Sequence, residues 1–85
     1  MKYVLEIRPA AMADIDQAAA WYEAQRNGLG VRFVRTVRKR IDELPSHPLM
    51  YPLRNRRRNA RWFYASPFPY RVCYRISGDL VTVFA

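Results

Sequence analysis

Residues 70–84, YRVCYRISGDLVTVF, alternate with the period of a strand: Tyr70, Val72, Tyr74 and Ile76 fall on one face, and Arg71, Cys73 and Arg75 on the other. Ser77, Gly78 and Asp79 supply a tight turn, and Leu80 to Phe84 return as the last strand. Upstream, past Pro69 and Pro67, the same period of two begins at Arg61, with Trp62 and Tyr64 assigned to the face of Tyr70 and Val72. These three segments predict an antiparallel meander with one apolar and one basic face.

The half before the meander reads differently. Tyr3 to Arg8 sets Tyr3, Leu5 and Ile7 against Val4, Glu6 and Arg8, a short strand that Pro9 ends. Pro suits the first turn of a helix, and the Ala-rich run that follows predicts one from Pro9 to about Arg26, with a stripe of Ala11, Ile15, Ala18 and Tyr22. Asn27, Gly28 and Gly30 supply a turn, and a second helix is expected over Leu29–Leu44 with Val34, Val37, Ile41 and Leu44 on its core face. Pro45 and Pro48 break it. The connection is so short that the helices must form an antiparallel hairpin. The predicted fold is α+β: an N-terminal strand, a helical hairpin, then a three-stranded meander covered on one face.

Size and composition bound the function. The 85 residues allow one domain, 1–85, and one core. The formal net charge is +8, and 13 of the 15 basic residues are Arg, which favours bidentate contact with carboxylate or phosphate over the looser charge of Lys. A lone Cys73 forms no internal disulfide, and the N-terminus MKYVLEIRPAA has no long apolar run, so a cytoplasmic protein with no membrane partner is expected. No metal-site, nucleophile-elbow or phosphate-loop motif is present, and no cofactor is expected.

The residues expected to work are basic and aromatic. Residues 54–75, RNRRRNARWFYASPFPYRVCYR, hold seven arginines interleaved with strand-forming aromatics, a surface suited to an anionic partner. Arg54, Arg56, Arg57, Arg58, Arg61, Trp62 and Arg71 are the candidates, and Trp21 at the edge of the first helix's stripe is a candidate anchor. Arg75 is expected to pair with an acid such as Glu6 across strands. His47, between prolines without an acidic neighbour, reads as a loop residue, and Cys73 as a small apolar one.

The texts DIDQAAAWYEAQ (14–25), GLGVRF (28–33), PSHPLMYP (45–52), FPYRVCYRI (68–76) and SGDLVTVFA (77–85) together resemble the RelE/ParE superfamily, toxins of bacterial type II toxin–antitoxin modules, over essentially the whole chain. The resemblance implies a small cytoplasmic toxin neutralised by a cognate antitoxin. RelE-like members cut messenger RNA on the ribosome; ParE-like members poison DNA gyrase. Where the RNA-cutting branch carries lysines on the strand matching 61–65, this chain has Trp62 and Tyr64, while Arg71 matches that branch's central-strand arginine. That branch's C-terminal Tyr, and the tail with His, Arg and Trp found in many ParE-like chains, would lie beyond Ala85.

Three functions follow. The first is a ParE-like inhibitor of gyrase without catalytic residues, bound by an acidic antitoxin segment laid over the basic sheet and helices. The second is a ribosome-dependent endoribonuclease in which Arg61 and Arg71 stabilise phosphate charge, lacking an identifiable base. The third is a basic nucleic-acid-binding module. With no tail to cover it, the strand edge Val81–Ala85 is expected to stand open for strand addition.

Overall fold

A computed structural model gives the fold and describes residues 2–85. The elements run β1 (Val4–Ile7), α1 (Pro9–Gln25), α2 (Leu29–Asp42), β2 (Leu53–Asn55), β3 (Ala60–Tyr64), β4 (Arg71–Ser77) and β5 (Leu80–Val83). The α+β reading and the antiparallel β3–β4–β5 meander hold, but the sheet is larger and mixed. Its order is β1-β5-β4-β3-β2, with β1 parallel to β5, Val4 opposite Leu80 and Ile7 opposite Val83. A strand from each flank, distant in sequence or only three residues long, extends the meander to five.

This topology corrects the expectation for the last strand. β5 is bonded on one side to β4 and on the other to β1, so Val81 to Ala85 is not an open edge. The backbone N–H groups of Val4 and Arg8 donate to the carbonyls of Asp79 and Val83, at 2.7 and 2.9 Å. Beyond β5, Phe84 and Ala85 continue to pair with Cys73. The free edges belong to β1 and β2.

The two helices lie on one face of the sheet and enclose the core. Ala11 and Ile15 of α1 meet Phe33, Val37 and Ile41 of α2, with Leu44 beyond it and Phe63, Val72, Tyr74, Val81 and Val83 from the sheet. On α2 the expected Val37, Ile41 and Leu44 are fully buried, but the first place on the core face belongs to Phe33, fully buried, and Val34 is only partly so. Tyr22, Phe33, Phe68 and Tyr70 form an aromatic group with centroids about 5 Å apart, a geometry worth about 0.5–1.5 kcal/mol per pair beyond burial. Tyr51 stacks on Phe63 at 4.3 Å, and the buried Tyr74 hydroxyl donates to the Pro48 carbonyl at 2.8 Å. Together they fasten the loop after α2 to the sheet.

The hairpin of helices closes on two glycines. Gly28, at φ +86°, takes the left-handed turn between them, and the Glu23 carboxylate at the end of α1 accepts the N–H groups of Gly28 and Gly30 at 2.9 and 3.0 Å. A negative charge thereby caps the positive end of α2. At Gly30 a Cβ would lie 2.6 Å from the Ala19 carbonyl oxygen and 3.0 Å from the Glu23 side chain, so the helices touch there backbone to backbone. Gly30→Ala is expected to cost about 1–3 kcal/mol by forcing them apart. At roughly 4–8 °C per kcal/mol in a domain of this size, the loss shows as a lowered midpoint in a circular-dichroism melt. An unchanged midpoint would mean that the helices do not approach so closely.

Candidate nucleic-acid and protein interface

The sequence RNRRRNAR is a β-hairpin. β2 and β3 pair antiparallel around a turn at residues 56–59. The two asparagines that flank the arginine triplet build it: Asn55 Oδ1 accepts the Arg58 N–H at 3.0 Å, while Asn59, at φ +51°, donates from its amide to the Ile76 carbonyl at 2.7 Å. Asn is among the few residues that take the left-handed region readily and bond their own backbone. Asn at each end of RRR is the signal for this hairpin, which the sequence reading treated as a charged run.

The pairing register decides which arginines share a surface. Phe63 lies opposite Val72 and Arg61 opposite Tyr74, so both belong to the core face; Trp62 lies opposite Cys73 and Tyr64 opposite Arg71, on the outer face. Trp62 and Tyr64 therefore sit with Arg71 and Arg75, not with the core residues Val72 and Tyr74. The parity of a strand does not carry across the loop at 65–70, with its two prolines, and a slip of one residue exchanges faces.

The outer face is a basic surface floored by aromatics. The guanidinium carbons of Arg71 and Arg54 lie 5.0 and 5.8 Å from the Trp62 ring centroid, and that of Arg75 lies 4.4 Å from Phe84. Arg58, Arg71, Arg75, Asn55, Trp62 and Phe84 line a hollow of about 420 Å³. Arg75 thus stacks on Phe84 and is not paired with Glu6, contrary to expectation; the Glu6 carboxylate instead accepts from Thr82 at 3.5 Å. Among the described residues the one ion pair is Arg38 with Asp42, on α2. The chain carries no Asp or Glu between Glu43 and Asp79, which leaves the arginines of this face without acidic partners.

Cys73 lies beneath this layer, buried. Burial pushes its thiol above the ordinary range, while the charge of Arg71 and a hydrogen bond from it pull the other way. A thiol held neutral is a poor nucleophile.

The remaining candidates are elsewhere. Arg61 turns to the core side, where its Nη1 donates to the Tyr51 carbonyl at 2.7 Å and its Nε is buried without a protein partner. It acts as a strut for the 48–52 loop, on the opposite face from Arg71. Arg56 and Arg57 stand exposed at the hairpin tip. Trp21 is 60% exposed on α1, edge-on to Tyr22 at 5.1 Å, and the helices place it across the sheet from the basic face. Near it runs a groove of about 540 Å³ whose floor is Ala19, Ala20, Gly30, Val31 and Val34, with Glu23 and Arg35 at its rim. The sequence reading missed this groove; the exposed Val31 next to the small residues of the helix contact was its only trace.

The family model of the ParE toxin of type II toxin–antitoxin system, parDE, matches residues 5–85. No curated protein matches the chain.

Proposed function

This chain belongs to the ParE toxin family of type II toxin–antitoxin systems, and from that premise we propose that it inhibits DNA gyrase in the cytoplasm as a binding protein. A cognate antitoxin neutralises it. The observation that carries this reading is the outer face of the sheet, where Arg54, Arg71 and Arg75 stand over Trp62 and Phe84 and Arg58 lines the same hollow, all without an acidic partner. Unpaired guanidinium groups held against aromatic rings are ready to meet an anionic surface with little further ordering. An acidic antitoxin segment would cover them by the same charge complementarity, folding as it binds. The apolar floor of the α1–α2 groove suits the apolar side of such a segment. Among the described residues no helix is long and apolar enough to cross a membrane.

The endoribonuclease reading has Arg61 and Arg71 stabilise the developing phosphate charge. The two side chains lie on opposite faces of the sheet, an arrangement that favours the binding-protein reading.

The test is a supercoiling assay on relaxed plasmid with gyrase and the purified chain. The expected result is loss of supercoiling with accumulation of cleaved DNA, reversed by the antitoxin. Unimpaired supercoiling at excess protein would overturn the proposal.

A further inference from the structure

We infer that the outer face of the sheet grips the phosphodiester backbone of duplex DNA directly, with Arg54, Arg58, Arg71 and Arg75 as the phosphate contacts. The inference rests on the reading of this face as the working surface, and it names what the face holds. Four features of the face carry it.

Its charge is spread along a line. Arg71 and Arg75 are four residues apart on β4, about 13 Å at ~3.3 Å per residue, which corresponds to about four base-pair steps along the DNA axis at ~3.4 Å of rise each. Arg54 and Arg58 flank that line from the β2–β3 hairpin. A distributed row of this kind fits a continuous anionic rod.

Its donors are of the right kind and are held in place. Guanidinium forks bind phosphate bidentately. Arg54 and Arg71 lean on Trp62, Arg75 on Phe84, and the turn that presents Arg58 is tied by Asn55 and Asn59. Tyr64, opposite Arg71 and 55% exposed, offers a hydroxyl at the end of the row.

The donors of the face are mostly guanidinium groups. Asn55 Oδ1 and Asn59 Nδ2, beside them, are engaged with the protein's own backbone, which fixes both side chains to the hairpin. Contacts from such a row to phosphate oxygens carry no base information, so the binding is sequence-independent. Finally, among the described residues no carboxylate pairs with these arginines: Glu6, on the same face, lies on β1, two strands from Arg75, and accepts from Thr82.

The experiment is fluorescence anisotropy of a labelled duplex of about 20 base pairs titrated with the full chain between about 50 and 200 mM salt, without gyrase. Four contacts at ~0.9 each give an expected slope of log K against log[salt] near −3.6, so affinity falls about 150-fold across that range. In Arg71→Ala/Arg75→Ala the slope shrinks by about two and the fall to about tenfold. Arg71→Lys/Arg75→Lys keeps the slope and shows that the face still folds. Arg32→Ala/Lys39→Ala, an equal loss of charge on α2, leaves the slope unchanged. The inference is overturned by a slope that the α2 variant lowers as much as the β4 variant, by absence of binding at 50 mM salt, or by tighter binding of a single-stranded RNA of equal length. Inhibition of gyrase without DNA binding would sink this inference and leave the proposed function standing; DNA binding without inhibition would do the reverse.

Discussion

Phe33→Ala is expected to remove about 3–5 kcal/mol of stability, the cost of emptying a fully buried aromatic site. The ring sits at the meeting point of both layers. It touches Tyr22 of α1, Phe68 of the β3–β4 loop and Tyr70 before β4, with centroids 4.9, 5.2 and 5.0 Å away. Its removal therefore strips three aromatic contacts and leaves a cavity that no neighbouring side chain is flexible enough to fill. Domains of this length have roughly 4–13 kcal/mol in total at ~0.05–0.15 kcal/mol per residue. The variant should be largely or partly unfolded at growth temperature, through loss of the core and not of the surface. Urea denaturation checks it: the midpoint should fall steeply with an unchanged slope. A loss below about 1 kcal/mol would show that α2 does not anchor the core through this residue.

Arg71→Glu/Arg75→Glu is expected to have the largest effect on function with the smallest on fold. Both side chains are exposed, and what they lose within the protein is their stacking on Trp62 and Phe84, about 0.5–1 kcal/mol each. Against an anionic partner each reversal removes a charge-assisted contact of about 1.5–3 kcal/mol and adds repulsion. Two such losses, about 3 kcal/mol or more, correspond to at least a roughly hundredfold rise in the concentration needed to inhibit supercoiling. Arg32→Glu/Arg35→Glu changes the net charge equally from the far side of the molecule and should shift inhibition far less. If the two double variants inhibit equally, the outer face is not the working surface and only the overall charge matters.

The contrast between these variants reflects how unevenly the sequence disclosed its meaning. The helices were legible because Pro9, the glycines at 28 and 30 and Pro45 mark their ends, and the observed bounds Pro9–Gln25 and Leu29–Asp42 lie within two residues of those expected. The β4–β5 hairpin was legible because alternation and the SGD turn agree. β2 was not, since three residues with an arginine and an asparagine among them carry no apolar period. The core residue Phe33 was passed over for Val34 because both lie at helical spacing before Val37, four and three residues away; the aromatic partners that choose between them come from distant parts of the chain.

The same limit applies to the candidate site. That arginines and aromatics would crowd together between residues 54 and 75 was visible in composition. Which of them share a face was not. Arg61 and Arg71 looked equivalent, yet the register sends one to brace the Tyr51 loop and the other to the open face. Arg75 looked destined for Glu6 and found Phe84.

By itself the sequence determined the class of fold, the helical hairpin, the last two antiparallel strands and the basic character of the chain, because turn chemistry, local periodicity and charge are properties of neighbouring residues. Only the tertiary structure decided that β1 lies parallel beside β5, that β2 completes the sheet, and that Trp62, Arg71 and Arg75 share a face from which Arg61 is excluded. Each of these depends on strand pairing between segments far apart in the chain. A shift of one residue in that pairing exchanges the two faces while leaving every local pattern intact.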